Sequence, residues 1–177
     1  MMNVVAFNSL ADWPHEKMVI PSSQVEMIQK YSDWGPDVQA IIQLISKSDI
    51  WALFDHAPAD TYCKGRVCLL GDAAHASTPF QGAGAGMAVE DAYVLGRILQ
   101  AVQRADQLPA AFKAYDSVRR ERTQKQVSTS LASGHLWHFE EEGIDDVEKL
   151  RSILQDRMTW IWNKDLDEDV RNVQKML

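Results

Sequence analysis

One stretch constrains this chain more than any other. From Leu69 to Ala92 it reads LLGDAAHASTPFQGAGAGMAVEDA: an apolar run, an acid, a proline, three glycines and then a helical pattern. GRVCLLGD has the all-apolar character of a strand covered on both sides, ending at Leu70. Gly71 lets the backbone turn where a side chain would clash. Asp72 then falls just past the strand's carboxyl end, where open α/β sheets bind ligands, and its carboxylate can accept hydrogen bonds from ligand hydroxyls. Pro79 stiffens the loop and removes a donor. Gly82, Gly84 and Gly86 allow a flat or anionic group to approach the backbone, and they lead into a helix whose first amides carry partial positive charge. The spacing is GxGxG after a long loop, which is not the tight GxGxxG turn of a dinucleotide fingerprint.

The rest of the chain places strands and helices around that loop. NVVAF near the start predicts a strand. Ser23 and Glu26 make the capping-box pattern that opens a short helix in PSSQVEMIQKY. Pro36 suits the first turn of a second helix, with Val38, Ile41, Ile42 and Ile45 on one face. DIWALFDH predicts another strand from Asp49 to His56. After the glycines, Ala88, Asp91, Ala92, Leu95, Ile98, Leu99 and Val102 recur at helical spacing. Pro109 opens a long charged helix, and IDDVEKLRSILQDRMTWIW predicts a last amphipathic one with Val147, Leu150, Ile153, Leu154 and Met158 inward. The order β, α, α, β, β and then three helices is a mixed α/β domain.

The 177 residues are enough to bury a core without staples, and 46% hydrophobic content is ordinary for a globular protein. A net charge of -7 argues against nucleic acid as a partner. The acidic runs Glu140-Glu141-Glu142 and Asp165 to Asp169 are expected as solvated faces. No apolar stretch approaches the ~20 residues of a membrane span. MMNVVAFNSL carries no signal-peptide pattern, so a cytoplasmic location is expected, with Cys63 and Cys68 as free thiols and Cys68 packed in the core. The pair alone makes no zinc site.

The segment GRVCLLGDAAHASTPFQGAGAGMAVEDAYVLGRIL resembles the carboxyl-terminal FAD-binding segment of the group A flavin monooxygenases, and the salicylate hydroxylase branch in particular. The likeness extends through WGPDVQAIIQLI, WALFDHAP, YDSVRRERTQ and WIWNKDLDEDV. It implies a mixed α/β (α+β) fold, a truncated flavin-monooxygenase-like architecture with a few strands and about five helices. Residues 1–177 form one domain in this reading. Within it, 1–60 are a remnant of the substrate-domain sheet, 61–105 the GD-motif strand, loop and helix, and 106–177 the carboxyl-terminal helices.

The resemblance also assigns roles. It implies that Asp72 hydrogen-bonds the ribityl chain of FAD and that Pro79 lies against the isoalloxazine ring. Gly82, Gly84, Ala85, Gly86 and Met87 approach the pyrimidine edge, with Gly71 shaping the turn. Many relatives carry a polar residue where Met87 stands, which leaves backbone amides as the donors there. The implied reaction is hydroxylation of a small aromatic or phenolic metabolite, with NAD(P)H as reductant once a complete site is assembled. Complete relatives also carry an amino-terminal GxGxxG turn and a mid-chain DG motif, and neither occurs here. The chain is therefore expected to be incomplete as a self-sufficient hydroxylase, and to pair with itself or with a complementary amino-terminal half.

Two other readings stay open at this stage. One is a cofactor-independent isomerase, cyclase or lyase acting on an aromatic, polyketide or terpenoid compound, with His75, His56, Asp72 and Asp55 as acid–base candidates. The other is a non-catalytic binding or partner subunit. His135 and His138 have a spacing compatible with metal ligation, but nothing converges on them, and a packed or surface role is expected. The basic RRER from Arg119 to Arg122 is expected as an intramolecular salt-bridge face. The six tryptophans are expected in packing.

Overall fold

A computed structural model describes residues 3–8, 10, 12–140 and 146–175. Glu141, Glu142, Ile144 and Asp145, which belong to two of the sequence patterns above, lie outside the described residues. The sequence reading treats 1–177 as one domain; backbone packing divides it into two units, Met1–Leu53 and Phe54–Leu177.

The first unit is a hairpin interrupted by two helices. Strand β1 (Val19–Ser22) pairs antiparallel with β2 (Ser48–Trp51), Val19 opposite Trp51 and Ser22 opposite Ser48. Helices α1 (Gln24–Lys30) and α2 (Pro36–Gln43) connect them. The capping box forms: the Glu26 amide donates to Ser23 Oγ at 3.2 Å, and the Ser23 amide donates to Glu26 Oε2 at 2.9 Å. Pro36 opens α2, and Ile42 is its buried residue. The strand expected at NVVAF is absent, and Val4 and Val5 are exposed. No neighbouring strand offers those residues a ladder, and β propensity without a partner makes no strand. The strand expected over Asp49 to His56 stops at Trp51, where its pairing with β1 ends.

The second unit is built on helices. A short hairpin, β3 (Cys63–Lys64) with β4 (Val67–Cys68), turns at Gly65. Next come α3 (Asp72–His75), a 3-10 turn (Pro79–Gln81) and α4 (Gly84–Leu99). The 30-residue α5 (Leu108–Trp137) begins with Pro109 in its first turn, as the sequence predicts. It is followed by α6 (Val147–Leu154), α7 (Thr159–Trp162) and α8 (Leu166–Gln174). The strand expected in GRVCLLGD is only its first part, and Leu69 and Leu70 are exposed.

Helices α4, α5 and α8 enclose the core, in which Val94, Ile98, Ala111, Tyr115, Val170 and Val173 are buried. The inward line of α4 runs through Met87, Asp91, Val94 and Ile98, and the expected Ala92 and Leu99 point out. The last amphipathic stretch breaks into α6 and α7; Leu150 is buried, whereas Val147 and Ile153 are exposed. The acidic run at Asp165 caps α8, accepting from the amides of Asp167 and Glu168. Asp169 is not solvated as expected: it is buried and takes a 2.7 Å ion pair from Lys164. None of the six tryptophans is fully buried.

Candidate functional site

β4 passes the chain through Leu69 and Leu70 to Gly71, which is buried with φ 57° and ψ -138°. That conformation belongs almost entirely to glycine. A Cβ at Gly71 would lie 3.3 Å from the Ala88 Cβ, so the turn presses against α4. Asp72, the first residue of α3, is exposed, and its carboxylate has no partner among the described residues.

Farther along, Pro79 is exposed and opens the 3-10 turn, and Gly82 closes it with φ 61°. Helix α4 then starts without a side-chain cap, because its N-cap residue is Ala83. The first amides of a helix have no intrahelical acceptor. Those of Gly84, Ala85 and Gly86 find none elsewhere among the described residues, whereas the Met87 amide already donates to Ala83 O at 2.9 Å.

The glycines separate into two kinds. A Cβ at Gly84 would meet Ser77 Oγ at 3.3 Å, and one at Gly134 would strike the Phe80 ring at 2.5 Å. A Cβ at Gly82 or Gly86 would meet nothing within 4 Å. Internal packing therefore does not demand glycine at those two positions. They leave free space at an uncapped helix start, and the same loop carries the unpartnered Asp72 carboxylate. That donor and acceptor set fits a planar ligand with hydroxyls on one side and an electron-rich edge on the other, as in a flavin.

Behind the loop lies a buried ionic network that the sequence reading did not find. Asp91 Oδ2 accepts from the Gly71 amide at 3.1 Å and from His75 Nε2 at 2.6 Å. Arg119 Nε donates to Asp91 Oδ1 at 2.7 Å, Nη1 to Glu90 Oε2 at 2.7 Å and Nη2 to the Met87 carbonyl at 3.2 Å. Arg122 holds both Glu90 oxygens at 2.8 Å. The salt-bridge reading of RRER is right in kind, but Arg119 is fully buried and faces the loop. The legible signal was the Glu90-Asp91 pair set in a mostly apolar helix.

Burial alone would raise both acids. The hydrogen bonds from His75 and Arg119, with the Arg119 charge and the Gly71 amide, outweigh it and hold Asp91 below the usual carboxylate range. Arg122 and Arg119 do the same for Glu90. Folded values below the unfolded ~3.9 and ~4.3 mean that this stabilisation is present above those values and is lost as pH falls through the folded ones. Near-ultraviolet circular dichroism is expected to stay constant from neutrality to about pH 5 and to collapse below about pH 4. A collapse beginning above pH 6 would remove these two carboxylates as its cause.

The other expected residues scatter. His75 is buried against Asp91, with Nδ1 unpartnered, in the position of a loop buttress. His56 is exposed; its Nδ1 is 2.7 Å from the Ala57 carbonyl and its amide donates to Ala76 O at 2.8 Å. Asp55 is exposed, and no bond between it and His56 is present to orient the ring. The Met87 side chain turns into the core toward Arg119. His135 Nδ1 pairs with Glu140 at 2.7 Å, and no group of three metal-capable side chains occurs among the described residues. Two surface grooves lie away from the loop, one beside Trp137 and Leu150 and one beside Arg122 and Trp160. Within the Gly71–Met87 loop, Asp72, Pro79, Gly82, Ala85 and Gly86 are exposed. No helix among the described residues is long and apolar enough to cross a membrane.

Comparison with known proteins gives this loop its context. The FAD binding domain family matches residues 37–130. The chain is 39% identical over 173 residues to 6-methylsalicylate 1-monooxygenase atA of Aspergillus terreus, covering 97% of this chain and 39% of that protein. It is 39% identical over 185 residues to a salicylate hydroxylase of Pseudomonas putida, covering 100% of this chain and 43% of that protein. A solved salicylate hydroxylase substrate complex superimposes with a TM-score of 0.86 at 40% identity, over 96% of this chain and 42% of that one. The chain thus spans about two-fifths of the length of the relatives it matches. These relatives are monooxygenases, and FAD is the family's cofactor. The uncapped start of α4 and the free Asp72 carboxylate both fall within the matched residues, and the chain belongs to the FAD binding domain family.

Proposed function

We propose that this chain supplies the ribityl- and ring-facing part of an FAD-dependent monooxygenase acting on a small aromatic or phenolic compound. The observation that carries this reading is that one loop holds both an exposed, unpartnered carboxylate, Asp72, and the free amides of Gly84, Ala85 and Gly86. When bound, FAD supplies hydride acceptance from NAD(P)H and oxygen insertion into an electron-rich ring. Asp72 would accept from ribityl hydroxyls, and the α4 amides would face the ring edge on which reduction places negative charge. Pro79 adds a rigid apolar wall. Exposed Val67, Leu69, Leu70 and Val89, together with the two-fifths share, support a second copy or the remainder of such a fold as their cover.

Fluorescence titration of the chain with riboflavin and FAD tests the assignment. Contacts limited to ring and ribityl chain predict affinities within a few-fold of each other, with little competition from ADP. Asp72→Ala should weaken both ligands by about 10- to 100-fold, the worth of hydrogen bonds to a charged acceptor. Because Asp72 is exposed and unpartnered, its melting temperature should not move. Absence of flavin binding, or ADP competing as well as riboflavin, would overturn the reading.

A further inference from the structure

Cys63 and Cys68 are free, half-buried and directly opposite each other in the β3–β4 register. The Leu69 amide donates to the Tyr62 carbonyl at 2.7 Å, which makes Tyr62 and Leu69 a hydrogen-bonded pair. Alternation along an antiparallel ladder then makes Cys63 and Cys68 a non-hydrogen-bonded pair. This is the closer kind, with Cα atoms about 4.5 Å apart and side chains on one face. A disulfide takes Cα separations of about 4.4–6.8 Å. Both thiols are half-buried, and Cys68 packs against the core.

We propose that Cys63 and Cys68 are a reversible dithiol–disulfide pair, oxidised by hydrogen peroxide and reopened by a dithiol. The Cys63 thiolate takes one peroxide oxygen to become a sulfenic acid, and the other oxygen leaves as water. The Cys68 sulfur then attacks Cys63, forming the S–S bond and releasing the second oxygen as water. The two sulfurs give up two electrons, and peroxide is reduced to two waters. Thr61 Oγ1 lies 3.7 Å from Cys63 Sγ and 3.2 Å from the Cys63 carbonyl, to which it donates. Burial pushes the Cys68 thiol up to about 12, which assigns the first step to Cys63; in the resolving step Cys68 gives its proton to the departing hydroxyl, and adjacency offsets its small thiolate fraction. The bridge would pin the hairpin whose second strand feeds Gly71. It stands whether or not the chain binds flavin.

Lys64 and Arg66 both lie between the two cysteines, so trypsin severs the hairpin and only a disulfide can hold the halves together. The reduced chain, treated with hydrogen peroxide and digested without reductant, should yield the 48–64 and 67–97 peptides as one linked species. That species should be the dominant Cys63 product, and a dithiol should remove it. In intact-mass spectra the chain should lose the mass of two hydrogens. Cys68→Ser should instead accumulate oxygen on Cys63, and Cys63→Ser should leave Cys68 reduced. Cross-linked dimers in place of the internal link would overturn the proposal, as would both thiols surviving or Cys63 proceeding to sulfinic acid in the unsubstituted chain.

Discussion

Arg119→Met is expected to lower the melting temperature by about 10 °C, the largest effect of any single side chain in the Phe54–Leu177 unit. Arg119 is fully buried and is shared among Asp91, Glu90 and the Met87 carbonyl. Removing one partner from a buried ion pair leaves uncompensated charge and costs about 3–5 kcal/mol, and each kcal/mol corresponds to about 2–4 °C at this chain length. The measurement is a thermal scan by circular dichroism at neutral pH. Adding Asp91→Asn to Arg119→Met should recover part of the loss, because the stranded charge goes with it. A single variant melting within a degree or two of the unsubstituted chain would remove the network from any account of stability.

Gly71→Ala should destabilise the same unit by about 1–3 kcal/mol through its backbone conformation alone. Contact between the new methyl and Ala88, at 3.3 Å, adds to that cost. The turn cannot relax freely, since its amide is held by Asp91. Gly86→Ala gives the opposite sign. Its Cβ meets nothing within 4 Å, and alanine in a helix gains about 0.5–1 kcal/mol over glycine. That variant should therefore melt higher yet bind riboflavin more weakly, because its methyl enters the space left for the ligand. A Gly86→Ala chain that both melts higher and binds flavin unchanged would detach this glycine from the proposed site.

The glycine loop, the capping box at Ser23 and the Pro109 helix start were legible because each is a local code: a few residues whose chemistry fixes the backbone beside them. The strands were legible only where a partner exists. NVVAF has strand composition and no neighbour, whereas Val19–Ser22 passed unnoticed and is ordered by pairing with Ser48–Trp51. The network behind the loop was the least visible. Arg119 and Arg122 read as a salt-bridge face on a charged helix, and only the arrival of Glu90 and Asp91 from α4 makes that face interior. Periodicity reveals apolar faces, and the inner face of α5 is largely polar from Arg119 to Ser133.

That inner face carries Thr123, Gln126, Ser130 and Ser133 in succession after Arg119, all sealed from water. Ser130 Oγ donates to the Thr78 carbonyl at 2.6 Å and accepts from the Gln81 amide at 3.3 Å, and Thr129 reaches Gln81 Oε1 at 3.1 Å. A greasy helix can slip by one turn, about 5.4 Å, and find similar neighbours again. This one works as a toothed rack: a slip would break the Ser130 and Thr129 bonds to Thr78 and Gln81 together, so the loop can dock at a single notch along the rod.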